Sequence, residues 1–457
     1  MLAAVLSCLT IIGGCDWVGG SFDQQPQDIG ALSPAARELI DRSLSDLNPQ
    51  RLTDYHAHIV GLNPETIGTF VNESWQSVFH PVGYTRFIVY KSASGITDNN
   101  DIDRQFLSRL NDLVDYLPYK GRTGIMAFDY FHDEQGNIQK HLSTFHVPDQ
   151  YVLDIVKDHP DRYFPILSVH PYRKDALQRL DEHARAGVRF IKWLPNAMGI
   201  NPSPDDPRLR KRLVDYYQAM INNGMILITH TGDEKATEAE DYQHLGNPLY
   251  LKLPLDMGLK VVMAHIGSLG ECKPEDKSVC AVGTPYLDLA IQMMRKEEYR
   301  NILFADISAL TQFNRLHALD TVIGASDIHS NLINGSDYPL PAVNFVIQTR
   351  ALVSSGHITE DERTLINEIY DVNPLLFDYV LKRTIRHSKN GQRFPPKIFI
   401  HNEKLLPDLQ TGAQVPPSRD DHTSIHDRCK PHGTALAYGP EYYTTGSQRL
   451  YSAHVRT

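Results

Sequence analysis

The sequence has no excess of positive charge, and this argues against nucleic acid as a partner. It contains 45 Lys and Arg against 55 Asp and Glu, for a formal net charge of -10 at pH 7. A nucleic-acid-binding surface needs a basic stripe to meet the phosphates, and the sequence has none. An internal repeat and a Gly-rich nucleotide-binding loop are also lacking. We therefore expect a small-molecule substrate and leave a homodimer open.

The sequence also lacks an apolar run long enough to span a bilayer, since a spanning helix needs about 20 residues. Residues 2–14 are apolar but short, and Cys15 directly follows an Ile-Gly-Gly triplet that resembles a bacterial lipobox. This pattern predicts a signal or lipoprotein leader over residues 1–15, with lipid on Cys15. We expect an exported protein, anchored at the periplasmic face or cell surface through that lipid alone. A cytoplasmic protein is the alternative, because no Lys or Arg precedes the apolar run.

Cysteine is scarce, with five residues in 457. Cys272 and Cys280 flank the short polar segment KPEDKSV, and in an oxidising compartment such a pair can close a disulfide. Two free thiols in a surface loop are the alternative. A zinc site at this pair is not favoured, because no second pair of Cys or His ligands stands nearby.

Apolar runs that alternate with amphipathic helical segments predict a parallel sheet and an α/β fold. Hydrophobic residues make up 41% of the chain, and a single (β/α)8 barrel takes about 250 residues or more. One elaborated catalytic domain is therefore expected. The predicted segments are a tether and N-terminal helix over 16–48, a barrel over 49–385 with a mostly helical insertion over 61–122 that caps the strand ends, and an irregular C-terminal extension over 386–457.

Six polar residues follow apolar runs at positions where strands would end, which is where a (β/α)8 barrel builds its active site. They are His56 and His58 in DYHAH, Lys192 in VRFIKWL, His230 in ILITH, His265 in VVMAH and Asp337 in NGSDYP. His-x-His on a strand places both imidazoles on one face, because side chains alternate with period two. Imidazoles and a carboxylate suit a divalent metal, Zn²⁺ first and Mn²⁺ second, with positions open for water. Asp337 would take a proton from that water, and His265 would polarise the substrate or bind a second metal.

These motifs, with HPDRYFPILSVHP at 159–171 and GVRFIKWLPN at 187–196, resemble the amidohydrolase superfamily in its amidohydrolase 2 branch. The resemblance covers roughly residues 50–385 and implies a distorted (β/α)8 TIM barrel, a divalent metal, and hydrolysis or non-oxidative decarboxylation. By position, the resemblance assigns metal ligation to His56, His58, His230, His265 and Asp337. Lys192 matches a fourth-strand lysine that is carboxylated and bridges two metals in some members, so one or two ions remain open.

The resemblance favours a hydrolase that uses metal-activated water on a lactone, amide, ester or phosphoester. A metal-dependent decarboxylase of an aromatic or enol carboxylic acid is the alternative, and a non-catalytic barrel lipoprotein is a third. Loops that leave the strands would supply substrate-binding groups, and the candidates are Asp306, His170 and Asn196, followed by Tyr55, Trp193 and Asp233. Trp193 alternates away from Lys192, which favours core packing for that residue.

Overall fold

The structure is a computed structural model that describes residues 25–407. The predicted leader over 1–15, with Cys15, lies outside the described residues, and so do residues 408–457 of the C-terminal extension. Lipid attachment and export therefore stay predictions. Among the described residues, no helix combines the length and the apolar character needed to cross a membrane.

Eight parallel strands form the predicted TIM barrel, in the order β1-β3-β5-β6-β7-β8-β9-β10, and a separate antiparallel pair joins β2 and β4. The barrel closes because residues after β10 bond to β1, with Tyr55 N donating to Asn334 O at 3.0 Å. The strands are β1 (Thr53–His58), β2 (Phe70–Val71), β3 (Arg122–Met126), β4 (Phe145–His146), β5 (Tyr163–Leu167), β6 (Phe190–Trp193), β7 (Ile226–His230), β8 (Lys260–Ala264), β9 (Leu303–Asp306) and β10 (Leu332–Ile333).

Helices precede the barrel, connect its strands and follow it. The first begins at Pro34, and Ser33 Oγ caps it by accepting a hydrogen bond from Ala36 N at 3.1 Å, as the Ser-Pro pattern predicts. The helices are α1 (Pro34–Leu44), α2 (Pro81–Ala93), α3 (Ile102–Asp115), α4 (Asp149–Asp158), α5 (Ala176–Arg185), α6 (Pro195–Met198), α7 (Pro207–Asn222), α8 (Lys252–Asp256), α9 (Tyr286–Met294), α10 (Leu319–Gly324), α11 (Thr349–Ser354), α12 (Glu360–Val372) and α13 (Pro374–Thr384).

Some boundaries differ from those that the sequence predicts. β3 covers Arg122–Met126 rather than 124–131, because Phe128 has left the barrel and pairs with the residue that follows β4. The last strand covers only Leu332–Ile333 instead of 331–336, since the residues beyond it turn toward β1 to close the barrel. Between β1 and β3 the insertion is mostly helical, as predicted.

The described part of the C-terminal extension closes the bottom of the barrel, at the amino ends of the strands. Thr53 N donates to Phe399 O at 2.9 Å. Leu405 is fully buried among interior barrel residues such as Phe164 and Phe190. Tyr55 also points to this end, where its hydroxyl lies 2.9 Å from His401 Nδ1. The bottom of the barrel is therefore a packed core, and the opposite end is left for chemistry.

Candidate metal centre

All six residues predicted as ligands meet at one cavity at the carboxyl ends of the strands. His56 and His58 belong to β1, Lys192 to β6 and His230 to β7. The other two, His265 and Asp337, follow β8 and β10 directly or after a short turn. Each of the six lines the cavity, whose volume is ≈ 150 Å³.

The imidazoles of β1 and the carboxylate after β10 form the tightest cluster. His56 Nε2 lies 3.2 Å from His58 Nε2. Asp337 Oδ1 lies 3.3 Å from His58 Nε2 and 3.5 Å from His56 Nε2. Lys192 Nζ lies 3.1 Å from the same His56 nitrogen. These nitrogen and oxygen atoms lie around one small volume, as the ligand atoms of a single metal ion do.

Two of the six residues have a strained backbone. Asp337 has φ 61° and His265 has φ 60°, and both fall in the left-handed region that non-glycine residues rarely adopt. Such a conformation costs about 1–3 kcal/mol and persists only where the surroundings enforce it. One enforcing contact is the bond from Asp337 N to His56 O at 2.6 Å. Both side chains line the cavity.

Protonation states in the cluster suit metal binding. Burial lowers the pKa of His56, His230 and His265, so these imidazoles are neutral near pH 7. Burial alone would raise the pKa of Asp337, but the contact with His58 and the charges of its neighbours outweigh burial and lower that pKa to about 2. Neutral imidazole and ionised carboxylate are the forms that ligate a divalent cation.

Asp306 sets the tautomers of two histidines. Its Oδ2 lies 2.8 Å from His56 Nδ1, and an ionised carboxylate can only accept, so His56 carries its proton on Nδ1 and its lone pair on Nε2. Its other oxygen accepts from His265 N at 2.8 Å and from Ser308 Oγ. Because the Ser308 proton goes to Asp306, Ser308 Oγ accepts from His265 Nδ1 at 2.8 Å. The Nε2 lone pair of His265 therefore remains available.

His230 presents an unsatisfied nitrogen. Its Nε2 is buried and has no hydrogen-bond partner among the described residues, while its Nδ1 lies 3.5 Å from Glu234 Oε2. Buried polar atoms are nearly always paired, so an orphan of this kind needs an explanation. An ion or ligand in the cavity that His230 lines would supply the missing partner.

The residues predicted to bind substrate lie elsewhere. Asp306 is buried behind His56 and is not among the residues that line the cavity, so its role in substrate binding stays a prediction. His170 Nε2 donates to Met198 O at 2.9 Å, and Asn196 Nδ2 donates to Gly232 O at 3.2 Å. Neither lines the cavity, because both are used to hold loops together.

Three further candidates are also structural. Trp193 is buried, as predicted, and its Nε1 donates to Val169 O at 3.0 Å. Tyr55 lies at the bottom of the barrel, because its side chain alternates away from His56. Asp233 accepts from Lys273 Nζ at 3.2 Å, beside the loop in which Cys272 and Cys280 form a disulfide with Cα atoms 6.3 Å apart.

The cavity walls contain residues that the sequence did not single out. Trp75, Phe87 and Tyr90, from the insertion after β1, form an apolar side. Arg315, on the loop after β9, is a buried cation in the same cavity. No periodic pattern marks these positions, because the insertion and the loop reach the site only through the tertiary fold.

No protein-family model and no curated protein matches the chain. Solved structures that resemble it include an uncharacterised TIM-barrel protein from Bordetella bronchiseptica (16% identity, 66% of this chain and 96% of that one, TM-score 0.40). A 5-carboxyvanillate decarboxylase from Sphingomonas paucimobilis has 12% identity over 71% and 100%, with TM-score 0.38. A second such decarboxylase, from Novosphingobium aromaticivorans with bound manganese, has 11% identity over 77% and 95%, also with TM-score 0.38.

Similarities this low say nothing of the reaction, and the fold assignment rests on the order of the strands themselves. The motifs that resemble the amidohydrolase superfamily stand at the carboxyl ends of those strands and converge on one cavity. The chain is accordingly a (β/α)8 barrel with strand-end motifs that resemble those of the amidohydrolase superfamily.

Proposed function

We propose that this protein is a metal-dependent hydrolase of the amidohydrolase type, acting on a small lactone, amide or ester. The convergence of the six strand-end residues on one cavity carries the proposal. A barrel kept only for binding would not need three neutral imidazoles, an ionised carboxylate and a strained backbone at the same place.

The donor set fits a divalent ion held by His56, His58, His230 and Asp337, with His265 as a further ligand or a catalytic group. The orphaned Nε2 of His230 and the converging Nε2 atoms of β1 support this assignment. A bound Zn²⁺ or Mn²⁺ would polarise a substrate carbonyl and make water acidic enough to act near pH 7. Mixed nitrogen and oxygen ligands favour Zn²⁺, and Mn²⁺ is the alternative.

The chain's own residues supply proton transfer and orientation. Asp337, ionised because its pKa is lowered to about 2, offers a carboxylate oxygen that accepts a proton in the cavity. His265 has an unprotonated Nε2, which can accept a hydrogen bond or a proton from the substrate. Its ring is oriented by the hydrogen bond between Nδ1 and Ser308 Oγ. The apolar side formed by Trp75 and Phe87 excludes bulk water and strengthens each electrostatic contact within.

Lys192 decides whether one ion or two is bound. Burial lowers the pKa of this amine to about 8, so an appreciable neutral fraction is present near pH 7. A neutral amine has the lone pair that reaction with CO₂ requires, and the carbamate so formed, with release of one proton, could bridge two ions. Growth with ¹³C-labelled bicarbonate and carbon NMR tests the carbamate, since its signal should be absent from Lys192→Met, and metal analysis that finds two ions per chain tests the bridge.

A decarboxylase is the second candidate, and the buried cation Arg315 favours it, because a guanidinium in an apolar cavity suits a carboxylic acid. Product analysis separates the two reactions. A hydrolase incorporates one oxygen from labelled water into its product, whereas a decarboxylase releases CO₂ and incorporates none. A panel of lactones, amides and carboxylic acids assayed both ways identifies the class.

His58→Ala tests the metal centre most cleanly, because the His58 side chain is 20% exposed and its removal leaves a smaller packing defect than removal of the fully buried His56. We expect bound metal and turnover to be lost while the melting temperature of the metal-free protein is retained. His141→Ala, at an exposed position, is the matched control. Full metal content in His58→Ala would contradict the assignment.

We also propose export, with lipid on Cys15. The disulfide between Cys272 and Cys280 supports an oxidising compartment. Replacing Cys15 with Ser should move the protein from a membrane fraction to a soluble one. An unmodified Met1 in the mature protein would reject this proposal.

A further inference from the structure

Arg315 is a buried cation without a matching anion. Its side chain follows β9, is 5% exposed and lines the cavity that contains the proposed ligands. Nη1 donates to Ser268 Oγ at 2.9 Å, while Nε has no hydrogen-bond partner among residues 25–407. Within that same range Arg315 forms no ion pair.

Four carboxylates act on Arg315 through their charges, namely Asp337, Glu234, Asp233 and Asp306, and each contacts another group more closely. Asp337 Oδ1 lies 3.3 Å from His58 Nε2, and Asp233 accepts from Lys273 Nζ at 3.2 Å. Glu234 accepts from Thr237 N at 2.9 Å and faces His230. Asp306 is bonded to His56 and to the backbone of His265. A guanidinium buried without a paired anion is expensive, because the desolvation of the charge is not returned by a close contact. Such a charge is retained where a ligand provides the partner.

The residues around Arg315 indicate the size and chemistry of that ligand. A cavity of ≈ 150 Å³ has about the volume that holds benzene. Its side from α2 and the preceding turn is apolar, with Phe87 and Trp75, and Asn314 beside Arg315 adds an amide whose Oδ1 has no partner among the described residues. A fitting molecule has an apolar body of about one ring and a planar anionic group.

We propose that Arg315 is the anion-binding residue of the site and selects substrates that carry a carboxylate on a small apolar body. The guanidinium is preferred over an amine for this role because its planar fork matches both carboxylate oxygens. The bond to Ser268 fixes the side chain before substrate arrives, which lowers the cost of ordering it. The inference rests on the proposed function for its catalytic meaning, but binding of an anion does not require the metal.

The test therefore uses both metal-loaded protein and protein stripped by a chelator, with benzoate and the neutral, nearly isosteric benzamide as probes in calorimetry. In the stripped protein, benzoate should bind more tightly than benzamide. Arg315→Met should weaken benzoate about 10- to 100-fold, the loss expected for a hydrogen bond to a charged group. Benzamide affinity should not change, and Arg315→Lys should fall between. Arg185→Met, at an exposed position, is the matched control.

Several outcomes would overturn the inference. Equal affinity of the wild-type protein for benzoate and benzamide would do so, as would a loss of benzoate binding in Lys192→Met that Arg315→Met does not reproduce. Tighter, Arg315-dependent binding of phenyl phosphate would replace the carboxylate with a phosphate group. If Arg315→Met does not fold, as shown by its melting temperature, Arg315→Lys carries the comparison. If the proposed metal site is wrong, the protein should contain no bound metal but should still bind benzoate more tightly than benzamide.

Discussion

Asp306 shows how one buried carboxylate organises two histidines at once. One of its oxygens fixes the tautomer of His56, and the other holds the backbone and the serine that orient His265. Partners that orient metal ligands in this way raise ligand basicity and are nearly as important as the ligands. The role differs from the substrate contact that the position at a strand end suggested.

Asp306→Asn should therefore weaken metal affinity about 10- to 100-fold, because the amide cannot hold His56 in the Nδ1-protonated form as a carboxylate does. Competition against a chelator measures the affinity, and Asp161→Asn, at an exposed position, serves as control. A substrate-contacting Asp306 would give the opposite pattern, with unchanged metal affinity and a raised KM.

His170 gives a pH dependence of stability that does not involve the metal cluster. Its Nε2 donates to Met198 O, and its Nδ1 accepts from Tyr172 N at 3.1 Å, so only the neutral ring satisfies both partners. Burial, with the nearby His132, lowers the pKa of His170 to about 3. The unfolded chain binds this proton near pH 6.5, whereas the folded protein resists it until about pH 3. Stability is thus complete above the unfolded value and falls as pH decreases through that window.

His170→Gln removes this titration while keeping a donor for Met198 O. Between about pH 7.5 and about pH 5, the wild-type protein should lose up to about 2 kcal/mol more unfolding free energy than the variant does. Urea unfolding of both proteins at the two pH values measures the difference. An identical pH-induced loss in both proteins would contradict a neutral buried His170.

The meeting of the six strand-end residues at one cavity was predictable, because each follows an apolar run and the strand ends of a barrel converge whatever the loops do. The position of Arg315 in the cavity was not predictable, since the stretch TQFNRLH has no periodic pattern that shows which way the Arg315 side chain points. The role of Asp306 escaped prediction for another reason. Whether a strand-end carboxylate faces substrate or a histidine depends on a neighbour 250 residues away in the sequence.

Among the elements, helix α2 covers one side of the cavity. Two of its side chains form hydrogen bonds to the loop after β7. Arg86 Nη1 donates to Thr237 O and Tyr90 Oη donates to Ala236 O, each at 3.1 Å. The same loop contains Glu234, which faces His230. The loop that contacts His230 is therefore held in place by α2.

Tyr90→Phe should loosen α2 without unfolding the barrel, because it removes one hydrogen bond worth about 1 kcal/mol. Hydrogen exchange across residues 81–93 should speed up about fivefold, the factor that this energy gives, and kcat/KM should fall. The melting temperature should change little. Tyr116→Phe, whose side chain is exposed, is the matched control. Unchanged exchange in α2 would mean that other contacts hold the helix.

The sequence predicted the identity of most elements better than their ends. Residues 87–91 (FIVYK) lie within α2, in the insertion predicted to be mostly helical, because the run around them lacks the alternation of a strand. The predicted end of β3, at residue 131, was wrong, since the apolar run continues into residues that lie outside the barrel sheet. The hydrogen bonds between α2 and the loop after β7 could not be predicted from the sequence, because the bonded residues are about 150 positions apart in the chain.

At the scale of the whole molecule, the two ends of the barrel have separate tasks. The carboxyl ends of the strands gather the charged groups, while the amino ends are sealed by aromatic side chains and by residues 399–406. Leu405 is fully buried in that seal. A barrel divided in this way can lose packing at the bottom without a change in the geometry of its ligands.

Leu405→Ala should lower the free energy of unfolding by about 2–4 kcal/mol, because it removes buried methyl groups and leaves a cavity in a packed interior. Metal affinity at the opposite end should remain within about twofold, a change of less than 0.5 kcal/mol. Leu142→Ala, at a position 39% exposed, is the control and should cost under about 0.5 kcal/mol. Chemical denaturation and chelator competition on the three proteins measure both quantities. A loss of metal affinity that parallels the loss of stability would show that the two ends of the barrel act as one unit.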